Sequence, residues 1–162
     1  MERIWAPWRM NYLSATPEEG CIFCKARDAR DEDRERLVLV RREHSLIMVN
    51  RFPYTSAHLM VVAVRHTAEL DDFSEGELLD LMQGVRQARA LLREVARPHG
   101  FNIGVNLGEV AGAAMKEHLH IHVVARWNGD TNFMPVCADV RVIHEGSLEV
   151  YDRLKAALGR EK

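Results

Sequence analysis

Between Glu117 and Val124 the chain reads Glu-His-Leu-His-Ile-His-Val-Val, three histidines alternating with apolar residues at strict period two. This alternation predicts a half-buried strand. On such a strand His118, His120 and His122 share one face, each about 6–7 Å from the next at the usual rise per residue. Leu119, Ile121 and Val123 share the other face and can be buried against a core. A lone histidine on a strand is commonly a packing residue. Three in register, each able to titrate near neutral pH, call instead for a ligand, a metal or chemistry.

The rest of the chain narrows the classes that could use such a row. A length of 162 residues suits one domain spanning 1–162 with a substantial core. The net charge of −2 supplies no basic field, which argues against a nucleic-acid partner held through phosphates. The longest apolar run, Leu59 to Val64, is too short to span a bilayer, and residues 1–13 lack an apolar leader core, so no membrane partner and a cytoplasmic location are expected. Cysteines occur at 21, 24 and 137. A Cys-x-x-Cys pair in an odd set without a secretion signal favours a metal or redox site over a disulfide framework. Cys137 reads as a small buried apolar residue.

In chain order, residues 1–20 read as an N-terminal arm with Trp5 and Trp8 placed to dock on a surface, and Lys25 to Arg36 as a solvated loop of mixed charge. Leu37–Arg41 and Ser45–Asn50 form a predicted hairpin, and His58 opens a strand over Leu59–Val64. Ser74-Glu75-Gly76-Glu77 is a capping box before one long amphipathic helix that stops ahead of Pro98. Phe101–Asn106 predicts another strand, Leu107–Lys116 a small-residue loop, Arg126–Asp139 irregular structure and 147–158 a closing helix. The small-residue loop would let backbone N–H groups approach an anion.

Two constellations carry chemistry. Cys21 and Cys24 have the spacing of a zinc pair that needs two more N or S ligands, which His66 and His118 could supply. A neutral imidazole aimed in line at phosphorus is a nucleophile, and His120 has an imidazole on either side along the strand. Alternatively His118 and His120 could jointly hold a catalytic zinc that activates water.

The run from His118 to Val124 resembles the signature of the histidine triad (HIT) family, and further segments resemble its bacterial diadenosine tetraphosphate phosphorylase branch. They are Ile4–Arg9, Cys21–Cys24, Val49–Tyr54, His58–Val62, Gly104–Gly108 and Arg126–Asp130. The resemblance implies an α+β fold with an antiparallel sheet of about five strands, one long helix and a C-terminal helix, commonly as a homodimer. It implies that His120 attacks the α-phosphorus of an adenine nucleotide or dinucleoside polyphosphate and that His122 contacts phosphate or the leaving oxygen. Asn50 falls at the ribose position, Asn106 at phosphate, and His58 beside the triad, and Gly112 and Ala114 are expected among the nucleotide-binding residues. Trp127 is carried with them as a nucleotide-site residue. Relatives with a structural zinc imply the ligand set Cys21, Cys24, His66 and His118.

This chain has Gly112-Ala113-Ala114 where the branch usually carries Gly-Gly-Ser, so Ala114 offers no hydroxyl or amide. Loss of a positioned donor of this kind can cost on the order of 10²–10³ in rate. Ala57 and Ala125 likewise stand in for the more usual glycine and proline. Two alternatives follow: a non-catalytic nucleotide-binding module with a structural zinc, and a hydrolase of nucleoside phosphoramidates.

Overall fold

The structure, a computed structural model, describes residues 20–113, 115–130, 143 and 145–160. Five strands form one antiparallel sheet: β1 Val38–Arg41, β2 Ser45–Val49, β3 His58–Ala63, β4 Gly100–Val105 and β5 His120–Arg126, in the order β1-β2-β3-β5-β4. Among the described residues three α-helices accompany them: α1 Ile22–Asp28, α2 Glu75–Ala96 and α3 Ser147–Leu158. The fold is thus the α+β arrangement expected, with the hairpin, the long helix and the closing helix where the patterns put them.

The two faces of the sheet divide by residue parity. Ile47, Val49, Leu59, Val61, Ile121 and Val123 pack under Leu81, Val85, Leu92 and Leu154 of α2 and α3, which makes the main core. The opposite face carries a smaller cluster, Leu46, Met48, Met60 and Val62, joined by Phe23 and Ala26 of α1. His58, His120 and His122 lie on this second face: Met60 pairs with His122 and Val62 with His120.

Local chemistry fixes the frame. The Ser74 hydroxyl accepts from Glu77 N–H, and the Glu77 carboxylate accepts from Ser74 N–H at 2.8 Å, completing the capping box. Glu77 also receives two hydrogen bonds from Arg65, and these contacts hold its carboxyl down to about 2. Arg42 and Ser45 both bond Asp80, tying the β1–β2 hairpin to α2. A Cβ at Gly84 would lie 2.8 Å from Val61 Cγ1, so glycine there lets α2 lie directly on β3.

Two expectations need correcting. The charged run from Lys25 does not begin as a loop. Residues 22–28 form α1, because Phe23 and Ala26 are buried and the Arg41 guanidinium donates to the Ala26, Arg27 and Ala29 carbonyls at the helix end. The histidine strand starts at His120 rather than at 117: residues 115–118 make a turn, with His118 N–H on Met115 O. The 1–19 part of the arm, Ala114, and the 131–139 part of the irregular stretch, Cys137 included, lie outside the described residues.

Candidate active site and metal centre

His120 is 5% exposed, and its orientation is set by its neighbour two residues back. Its Nδ1 lies 2.9 Å from the His118 carbonyl oxygen. A carbonyl only accepts, so Nδ1 carries the proton and Nε2 keeps its lone pair. Among the described residues Nε2 has no hydrogen-bond partner. Burial lowers the His120 pKa, favouring the neutral ring.

A second chain of contacts fixes His122. Tyr54 N–H donates to His58 Nδ1 at 3.1 Å, so His58 bears its proton on Nε2, which faces His122 Nδ1 at 2.9 Å. His122 is therefore left with an Nε2–H donor. Burial and the adjacent imidazoles push His58 down to about 3 and His122 down to about 4, so both are neutral at pH 7. The His120 and His122 rings stand 4.9 Å apart at 78°. One lone pair and one N–H, from adjacent same-face residues of a rigid strand, are the two groups a phosphoryl displacement needs.

The other expected site residues divide. β4 ends with Gly104 opposite His122 and Val105 opposite Ile121, so Asn106 leaves the sheet beside His120, where it donates to Gly112 O at 3.4 Å. Gly108 and Gly112 adopt φ of +80° and +86°, the left-handed turns that glycine allows in this loop. Asn50 follows β2 at the other end of the sheet, beside His58, and its amide is spent internally: Oδ1 accepts from Phe52 N–H and Nδ2 lies against the His58 ring. Trp127 stands apart. It packs on the helix-side core, donates to Ala96 O at 3.2 Å and lines a cleft of about 370 Å³ with Thr55, Ser56 and Arg153.

Sequence reasoning gave no role to Tyr54, whose ring lies 4.7 Å from His58 and 5.4 Å from His122. Its sequence signals are its place at the end of the Val49–Tyr54 segment and its four-residue spacing to His58. Phe23 was likewise passed over, although it sits between the two cysteines.

The cysteines and two histidines do converge. Single donor atoms of Cys21, Cys24, His66 and His118 all lie within 4.8 Å of one another. His118 Nδ1 is 3.2 Å from Cys21 Sγ and 3.7 Å from Cys24 Sγ, and His66 Nδ1 is 3.3 Å from Cys24 Sγ and 3.1 Å from His118 Nδ1. A tetrahedral zinc with usual bond lengths would separate S and N ligands by about 3.6 Å and two N ligands by about 3.3 Å. The donor set fits such an ion. His118 Nε2 donates to Ala63 O at 2.7 Å, which leaves Nδ1 unprotonated toward the quartet, the outer-shell pattern of a metal-bound histidine. His118 turns toward the cysteines while His120 does not, so the pair does not converge on a shared catalytic ion.

The sequence model of the HIT domain matches residues 32–129. The chain belongs to the histidine triad family. It is 40% identical over 150 residues, 88% of its length and 77% of the relative's, to AP-4-A phosphorylase of Mycobacterium tuberculosis. A HIT-like protein of Methanocaldococcus jannaschii is 31% identical over 110 residues, 68% of this chain and 81% of that one. Among solved structures, a zinc-bound histidine triad family protein from Mycobacterium smegmatis superposes with TM-score 0.68 at 25% identity, covering 88% of this chain and 95% of that one. Cys21 and Cys24 precede the matched HIT span, so the candidate metal site joins a segment outside it to His66 and His118 inside it.

Proposed function

We propose that this HIT protein is a nucleotidyl-transferring enzyme that cleaves a dinucleoside polyphosphate such as diadenosine tetraphosphate at an α-phosphate. The observation that carries the reading is the His120 tautomer: Nδ1–H held by the His118 carbonyl, Nε2 unprotonated beside the His122 donor. The similarity to the mycobacterial AP-4-A phosphorylase supports the substrate class.

In the first displacement His120 Nε2 forms a bond to the α-phosphorus as the bond to the bridging oxygen breaks, releasing ATP and leaving an adenylyl-histidine. His122 Nε2–H donates to a phosphate oxygen. In the second, an oxygen of inorganic phosphate forms the new bond, His120 departs and ADP is released. Asn106 and the Gly108–Gly112 loop, beside His120, would hold phosphate, and Asn50 and His58 would line the ribose end. Ala114 would contribute its backbone alone. Trp127, on the far face, would act on the nucleotide only from the rim.

A zinc ion in the Cys21, Cys24, His66 and His118 quartet would be structural, fixing α1 and His118. Cytoplasmic reducing conditions would keep the two thiols available to it. The exposed edge of β4, with Ile103 and Val105 uncovered and Leu78 and Met82 exposed on α2, supports a homodimer.

The test is chromatography of products from diadenosine tetraphosphate with and without inorganic phosphate. ADP plus ATP formed only with phosphate is expected. No cleavage of any dinucleotide, despite tight adenosine nucleotide binding, would overturn the reading in favour of a binding module.

A further inference from the structure

Phe23 lies between the two cysteines in sequence and between the two centres in space. It is 2% exposed; its ring centroid is 5.3 Å from that of His118, edge-on at 71°, and 5.0 Å from that of His120 at 49°. Cys21 is the N-cap of α1 and Cys24 its third residue, with Lys25 N–H closing the first turn on Cys21 O. The Arg41 guanidinium anchors the other end of the helix. A helix of seven residues has little stability of its own, so its first turn depends on what holds the cysteines.

Among the described residues His120 has one hydrogen bond to set its ring, from Nδ1–H to His118 O. A single bond leaves the ring free to rock about the line joining the two atoms. Packing must supply the remaining constraint, and Phe23 and the His122 edge are the aromatic neighbours that do so. We propose that Phe23 is a positioning residue that couples the Cys21, Cys24, His66 and His118 metal site to the orientation of the His120 imidazole. A metal bound by the cysteines locks the turn that carries Phe23, and through His118 it also fixes the carbonyl on which His120 Nδ1 rests. The nucleophile is then braced from two sides by one ion it never touches. Only the kinetic consequence rests on His120 being the nucleophile.

The experiment compares zinc-loaded wild-type protein with Phe23→Leu, and with Phe23→Met should the first fold poorly, by zinc analysis, imidazole nitrogen NMR without substrate, and steady-state kinetics. The variants are expected to keep their zinc, to show shifted or broadened His120 signals, and to lose about tenfold in kcat or more with KM little changed. Removing zinc from the wild type should move the His120 signals in the same way and do little more in Phe23→Leu. His120 signals unchanged in zinc-loaded Phe23→Leu would overturn the proposal. So would loss of zinc from that variant, since Phe23 would then prop the metal site. Disturbed His120 signals in a protein whose wild type cleaves no dinucleotide would uphold the coupling and overturn the proposed function instead.

Discussion

At His58 and His122 the protein holds two imidazoles neutral inside a polar pair, and that arrangement has a cost that depends on pH. Both pKa values are depressed, to about 3 and about 4, against an ordinary value of 6.5, so the unfolded chain takes up protons before the folded one does. Stability is fully present above pH 6.5 and is lost as pH falls toward 4. In denaturant titrations across that range, His58→Asn should flatten the dependence by up to about 1.4 kcal/mol per pH unit; an unchanged slope would contradict the assignment. Ala57, just before His58, is buried with φ of +57°, a conformation that strains side chains with a branched β-carbon most. Ala57→Val should cost about 2 kcal/mol or more in thermal denaturation, whereas Ala57→Gly should change stability by less than about 1 kcal/mol in either direction. The alternating histidines made His120 and His122 legible, since period two is a local property. It could not show that His118 leaves the strand, because that depends on the Ala63 carbonyl and on cysteines almost a hundred residues away.

Among the elements, α2 was readable from its capping box and apolar stripe, and β1–β2 from the short polar turn between them. α1 was not. Its seven residues are too few to display a helical period, its charge pattern is that of a loop, and it is held by Arg41 across a gap of twelve or more residues. β4 shows the opposite case: its strand character was legible, but not that Ile103 is 46% exposed on the sheet edge, because alternation does not say what covers a face. If that edge joins two copies, Ile103→Lys should convert a dimer to a monomer in sedimentation velocity. A wild-type monomer, or a variant that stays dimeric, would remove β4 from the interface.

For the whole molecule, the main core under α2 and α3 and the smaller cluster with α1 lie on opposite sides of one sheet, with the proposed chemistry on the α1 side. Zinc removal by a strong chelator should therefore act unevenly. Hydrogen exchange should rise first in residues 21–28 and around His66 and His118, while β2, β3 and α2 stay protected, and zinc should restore the original pattern. Uniform protection with and without zinc would show that the quartet holds no structural ion. The account's central claim is that His120 forms a covalent bond to the nucleotide. Rapid mixing with diadenosine tetraphosphate without inorganic phosphate, quenching in base and mass spectrometry of the protein test it directly. The predicted result is one adenylyl group per chain, located on His120 and absent in His120→Asn. A wild-type protein that releases ATP while never carrying the adduct, or an adduct on another residue, would contradict it.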